Sequence, residues 1–375
     1  MKRIYLDYNA NAPIYEDALR RMVEASSYTG SASSVHCFGR EARKILEDAR
    51  RHIARTIGTK QEEVVFTSGA SEANTMALRG YSQMGSDVWV SAVEHASVYN
   101  VVDEPKVLPV DSVGLICLES LELRLRKKAP DQRVAVCVMA ANNETGVIQP
   151  IQKISQLCKT YNAWFHCDAV QALGRFTLDF KTLESDTLVV SAHKIGGPIG
   201  IGALIVKEGL QISPLIRGAG QERGRRAGTQ NHVLAAGFSA ALDCVMKEDW
   251  ASIRLLRDNL ENQLLEQEPK LTIFGRDVER LANTSAFVMP DVKNEVQVMG
   301  FDLEGFAVSA GSACSSGTLK ASRVLKSMGV SDDVAQTAIR VSLTPEIQQA
   351  DIDEFVKAWS KIKKRAHASK SFEEN

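Results

Sequence analysis

The sequence predicts an α/β protein, with a mainly parallel sheet between helices and a smaller α+β domain beside it. Two observations carry this expectation. From about residue 60 to 207, short β-rich runs alternate with amphipathic stretches, the pattern of strands joined by helical crossovers. After about residue 245 the texture changes to a long polar-apolar helix, two strand candidates and a terminal amphipathic helix. The 375 residues suffice for two such domains and a substantial core.

The elements follow in order. Ala42, Ile45, Leu46, Ala49, Ile53 and Ile57 recur at helical spacing, so a helix is expected over 40–58, with Gly58 as its stop. The strands read as EEVVFTS, DVWVSA, RVAVCVMA, AWFHCDA, DTLVVSA and GALIVK, buried on both faces where the apolar run is continuous. A helix is expected over 250–267, then strands in NTSAFVMP and FAVSAG. Ile352, Phe355, Val356, Trp359 and Ile362 mark a last helix, and the polar end from His367 reads as frayed.

Composition excludes several classes. A net charge of -1 gives no reason to expect nucleic acid or an acidic membrane surface as partner. No apolar run approaches the roughly 20 residues of a membrane helix, and no signal-peptide core follows Met1. Seven cysteines without a Cys-x-x-Cys pair argue against disulfides and a zinc site, and for a reducing cytoplasm. Most of the cysteines sit in apolar runs and read as core filler. Cys314 does not: it lies in VSAGSACSSGT, among serines and glycines that describe a solvent-facing loop.

Five stretches carry groups suited to chemistry. Lys194, in SAHKIGGPIGIGAL, ends a buried strand, where a desolvated amine with a lowered pKa suits Schiff-base chemistry. Ser191 and His193 flank it with phosphate-binding groups. In FTSGASEAN a strand runs through Gly69 into a helix start near Ser71, a ready anion site. In HCDAVQALG, Asp168 ends a strand with Gln171 three residues on; a carboxylate there would keep a pyridine ring protonated. His95 in VEHASV could stack on a flat ring, and Asn143 in ANNETG could bond a ligand. Singly, each has an ordinary structural explanation, Ser71 or Asp168 as a helix cap and Lys194 as a turn lysine. Together they fall at the ends of strands running one way, the edge where open α/β sheets bind ligands.

The ordered set YLDYNANAP, FTSGASEAN, EHASV, NNETGVIQPI, HCDAVQALG, SAHKIGGPIGIGAL, GQERGRRAGT and SAGSACSSG resembles the NifS/IscS-like cysteine desulfurases, fold-type-I pyridoxal-phosphate enzymes of the class V aminotransferase superfamily. The resemblance implies a large domain over 14–245 with a seven-stranded sheet, and a small domain of 1–13 and 246–375 carrying the Cys314 loop. It implies that Lys194 holds pyridoxal 5'-phosphate as a Schiff base and that Asp168 pairs with its ring nitrogen. Gln171 would bond its phenolic oxygen, and His95 would stack on its ring. Ala70, Ser71, Ser191 and His193 would hold the phosphate, joined by Thr229 from a second copy in a homodimer. Arg340 would clamp the substrate carboxylate as a bidentate fork, with Asn143 nearby. Cys314 would take sulfur from L-cysteine as a persulfide, for an iron-sulfur scaffold or another acceptor protein.

Ser31-Ala32, Asn11-Ala12, Ile199, Ala219, Ala321 and Thr344-Pro345 depart from the family pattern, at positions bearing on substrate affinity and acceptor. A selenocysteine lyase or aminotransferase of the same superfamily, and a non-catalytic sulfur carrier, are the alternative readings.

Overall fold

The structure is a computed structural model that describes residues 3–103, 105–311 and 321–373. Cys314 and its loop lie outside the described residues. Eleven strands follow one another along the described chain: β1 (Ile4–Tyr5), β2 (Val64–Thr67), β3 (Ser86–Ser91), β4 (Lys106–Leu108), β5 (Arg133–Cys137), β6 (Trp164–Asp168), β7 (Thr187–Ser191), β8 (Gly202–Val206), β9 (Thr284–Val288), β10 (Phe306–Ala307) and β11 (Ala338–Ser342).

Seven of them form the main sheet in the order β2-β8-β7-β6-β5-β3-β4. β3 to β7 are parallel; β8 runs antiparallel to both β7 and β2, so β2 points the same way as the parallel set. The reversal follows from the glycine-crowded turn after Lys194, which sends the chain straight back along β7 without a crossover helix. Every predicted strand is present. β4, three residues long at the sheet edge, is an addition that the sequence reading lacks.

Helices on both faces bury the sheet. One apolar layer joins the helix Cys37–Ile57, through Leu46, Ile53 and Ile57, to Val136 and Val190 of the strands. The opposite layer packs Met76, Leu78 and Tyr81 of the helix Ala70–Gln83 on Val90, Cys137 and Val189. Gly58 ends the helix Cys37–Ile57 at φ 72°, a left-handed conformation in which a side chain would be strained. A separate apolar cluster gathers Ile4 and Leu6 with Ile253, Phe287, Phe301, Phe355 and Trp359. There β9 pairs with β11 antiparallel and β1 with β10 parallel.

Two expectations need correction. The last helix, Gln349–Glu373, continues past His367, because HASKSFE holds no glycine or proline to stop it. Among the six described cysteines only Cys137, Cys158 and Cys167 are buried; Cys37 is exposed, and Cys117 and Cys244 are half-buried. Neighbouring apolar residues in the sequence do not bury a cysteine at a helix end or on an outer helix face.

Candidate active site

At the edge where β2, β3, β5, β6 and β7 end lies a cavity of about 540 Å³. The strand ends and the turns after them deliver its functional groups. After β2 the chain turns at Gly69 into the helix Ala70–Gln83, and Ala70 and Ser71 present that helix start to the cavity. The approach is close because Gly202 of β8 lies against it. A Cβ on Gly202 would stand 2.9 Å from Gly69 Cα, so only glycine fits.

Lys194 closes the short turn Ala192–Lys194 after β7. Its Nζ donates to the carbonyl oxygens of Asn9 and Ala10, at 2.7 Å each. His193 beside it bonds Ser191 Oγ through Nδ1 at 2.9 Å. Burial first, and then the Lys194 charge, push His193 down to about 4, so it is neutral near pH 7. Ser191 sits behind His193 instead of lining the cavity.

Asp168 ends β6 and is buried; its Oδ2 accepts from Asn74 Nδ2 at 2.9 Å, and its Oδ1 from the Val170 N–H at 3.1 Å. Gln171 donates from Nε2 to the Asn9 oxygen at 3.0 Å. Its Oε1 is buried with no partner among the described residues, an acceptor at the cavity wall. In this orientation the amide accepts, so donating to a phenolate oxygen requires it to turn over. His95 caps the turn Ala96–Tyr99, its Nδ1 accepting from the Ser97 N–H. Burial lowers its pKa, with Lys194 and Arg323 acting the same way and Asp168 opposing them. Arg340, on β11, donates to the Asn143 oxygen at 2.9 Å and to Asp7 at 2.5 Å, and its buried Nε has no partner among the described residues.

The cavity thus assembles Lys194, Asp168, His95, Gln171, Asn143 and Arg340, with Ala70, Ser71 and His193 beside them. Thr229 does not line it; the residue is exposed on the arm after Ala227. Several contributors escaped the sequence reading. Asp7 and Asn9 enter from the N-terminal segment; Asn9 accepts from Arg175 at 2.6 Å and donates to Thr284. Glu94 is fully buried and pushed up to about 8, chiefly by desolvation. Arg323 bonds the carbonyls of Ala92 and Glu94 and lies 4.0 Å over the Tyr99 ring. Asp7 lies inside YLDYNANAP and Glu94 adjoins His95, so the signal was adjacency to motifs already singled out.

The donor set suits one kind of cofactor. An amine, a buried carboxylate, an imidazole and a helix start around one cavity fit the aldehyde, ring nitrogen, ring face and phosphate of pyridoxal 5'-phosphate. The orphaned Gln171 oxygen marks a wall built for a polar ligand.

Comparison with known proteins agrees. The "Aminotransferase class-V" family profile matches residues 4–355. A cysteine desulfurase of Sinorhizobium fredii is 39% identical over 383 residues, covering 99% of both chains. A cysteine desulfurase IscS of Dictyoglomus turgidum is 38% identical, covering 92% of this chain and 90% of its own. Among solved structures, a NifS-like protein of Rickettsia africae superimposes with a TM-score of 0.89 at 35% identity, over 96% of this chain and 99% of that one. SspA in complex with cysteine matches with a TM-score of 0.79 at 28% identity, over 91% and 99%. The chain belongs to the class-V aminotransferase family and, within it, to the cysteine desulfurases. It is accordingly a pyridoxal-phosphate-dependent enzyme of fold type I.

Proposed function

We propose that this chain converts L-cysteine to L-alanine and keeps the sulfur as a persulfide on Cys314. The observation that carries this reading is the convergence of Lys194, Asp168, His95 and Arg340 on one cavity, in a chain of this family. The balance is simple. The bond between the substrate's β-carbon and its sulfur breaks, a sulfur–sulfur bond to Cys314 forms, and the carbon takes a proton. When bound, pyridoxal phosphate supplies an electron sink that labilises bonds at the substrate's α-carbon.

The chain's own groups do the rest. Lys194 anchors the cofactor and moves the α-proton. Asp168, an acceptor, holds a proton on the ring nitrogen. His95 would cover the ring face, and Ala70, Ser71 and His193 would hold the phosphate, with Ser191 Oγ orienting His193 from behind. Arg340 and Asn143 orient the substrate, the guanidinium meeting its carboxylate as a planar fork. The Cys314 thiolate is the nucleophile toward sulfur. SspA, a structural relative, is described in complex with cysteine, which supports the substrate assignment.

The same reading extends to assembly and setting. We assign residues 14–245 to the large domain, and 1–13 with 246–375 to the small one. A homodimer is supported by the exposed Thr229 and by Ile216, 40% exposed and bonded through its backbone to Ala227 of the same arm. The sulfur passes to an iron-sulfur scaffold or another acceptor in the cytoplasm, consistent with seven cysteines and no Cys-x-x-Cys pair. Among the described residues no helix is long and apolar enough to cross a membrane.

The test is reconstitution with pyridoxal phosphate. The native chain should gain a visible absorption band that L-cysteine perturbs, and Lys194→Ala should lose alanine formation by about a thousandfold or more. Undiminished turnover in Lys194→Ala would refute the assignment.

A further inference from the structure

Asn74 lies on the helix Ala70–Gln83, about one turn past the helix start, and is 0% exposed. A buried side-chain amide is costly unless its groups are paired. Here all are, and the pairing fixes the direction of a line of hydrogen bonds. Nδ2 donates to Asp168 Oδ2 at 2.9 Å and to Ser97 Oγ at 3.0 Å. An ionised carboxylate only accepts, so the nitrogen must face Asp168 and Oδ1 must face His166. His166 Nε2, 3.0 Å from Oδ1, therefore carries the ring proton, and Nδ1 accepts from Thr187 Oγ1 at 2.8 Å. Thr187 in turn accepts from the Tyr81 hydroxyl at 3.0 Å.

The fold explains why these groups meet. His166 and Asp168 alternate on β6 and so face the same side of the sheet. Asn74 and Tyr81 stand seven residues apart, on one face of the helix covering that side. Complete burial pushes His166 down to about 3, so the imidazole keeps the neutral form that the line requires. A second branch leaves Asn74 through Ser97. Having accepted from Asn74, Ser97 Oγ donates to His95 Nδ1 at 2.8 Å, and the Ser97 N–H points at the same nitrogen at 3.1 Å. Neutral His95 then keeps its proton on Nε2.

We propose that Asn74 is the positioning residue of the site: its single amide sets Asp168 against the cofactor's ring nitrogen and, through Ser97 Oγ, steadies the His95 ring in the Nε2-protonated tautomer that the Ser97 N–H selects. The inference rests on the reading of Asp168 and His95 as cofactor contacts. Asn74 does not line the cavity, and both of its hydrogens are committed, so it acts only through those two side chains. Asp168 ends β6 and His95 follows β3, so one group sets the relative placement of residues from separate strands.

Asn74→Asp keeps the shape and the acceptor for His166 but removes both donors and sets a second carboxylate against Asp168. Stripped native and variant proteins are titrated with pyridoxal phosphate, and the bound cofactor's visible band is then titrated with pH. The variant is expected to bind about tenfold more weakly, the size of other outer-contact effects on bound groups. Its band should titrate at a midpoint displaced by about one pH unit. Ser97→Ala cuts only the His95 branch and should displace the midpoint by less, with affinity nearly kept. It also decides the matter if Asn74→Asp fails to fold. A native chain that binds no pyridoxal phosphate would sink the site reading, and this proposal with it. A native chain that binds, with an unchanged affinity and band in the folded variants, would overturn the role of Asn74 alone.

Discussion

Arg340 Nη2 and Asp7 Oδ1 stand 2.5 Å apart, across 333 residues of chain. With Arg340 Nη1 on the Asn143 oxygen, the pair fixes the guanidinium plane where a carboxylate would dock. Asp7→Asn keeps an acceptor but gives up the charge. The expected outcome is a rise in KM for L-cysteine of about tenfold with kcat changed less than about threefold, because uniform binding is what is lost. Steady-state kinetics checks this. An unchanged KM would show that Asp7 does not orient Arg340.

Glu94 makes a prediction about pH. Its Oε1 accepts from Ser91 Oγ at 2.6 Å and the Met139 N–H at 2.8 Å, while Oε2 is buried without a partner among the described residues. Burial pushes its carboxyl from 4.5 up to about 8. The folded chain therefore holds a proton that the unfolded chain has released, and stability falls as pH rises from about 4.5 to about 8. Glu94→Gln keeps the acceptor and removes the titration. Compared with native, its urea-unfolding free energy should improve by up to about 1.4 kcal/mol per pH unit across that window. Parallel pH profiles would contradict the placement of a neutral carboxyl there.

His166 predicts the opposite slope. Its folded value is depressed to about 3, so only the unfolded chain takes up a proton as pH falls from 6.5. Stability from this residue is complete above 6.5 and drains away toward pH 3. His166→Gln, which offers an amide in place of the ring, should show a shallower fall in melting temperature between pH 6.5 and 4. Identical slopes would mean that the ring is not buried neutral.

Glu222 anchors the arm that bears Thr229. Its carboxylate forms a fork with Arg50 at 2.6 and 2.9 Å, accepts the Phe66 N–H at 2.9 Å, and receives Gln230 as well. With side chains 3% and 1% exposed, neither partner can be lost without stranding a buried charge. Glu222→Ala should cost about 3–5 kcal/mol in chemical unfolding. A cost under about 1 kcal/mol would place the pair in solvent.

How much of this could be read in the sequence differs by element. The five site-bearing strands were legible because their apolar runs are bounded by glycine or polar turns, and a buried parallel strand needs that pattern. β4 was not, since Lys106–Leu108 is too short to show a period. Lys194, Asp168 and His95 stood out as polar groups at strand ends. Asn74 and His166 did not, because a polar residue inside an element looks incidental until its partners are known. Thr187, His166 and Asn74 are far apart in sequence and meet only once helix and sheet are packed. Asp7 had the same handicap, its partner lying on β11.

In the proposed reaction Cys314 receives the sulfur of L-cysteine. The direct measurement is to give the loaded protein L-cysteine without reductant, quantify alanine, and weigh the protein by mass spectrometry, beside Cys314→Ser. The native chain should give one alanine per added sulfur, with the sulfur on the peptide holding Cys314, and the variant neither product. Alanine and added sulfur undiminished in Cys314→Ser would contradict it.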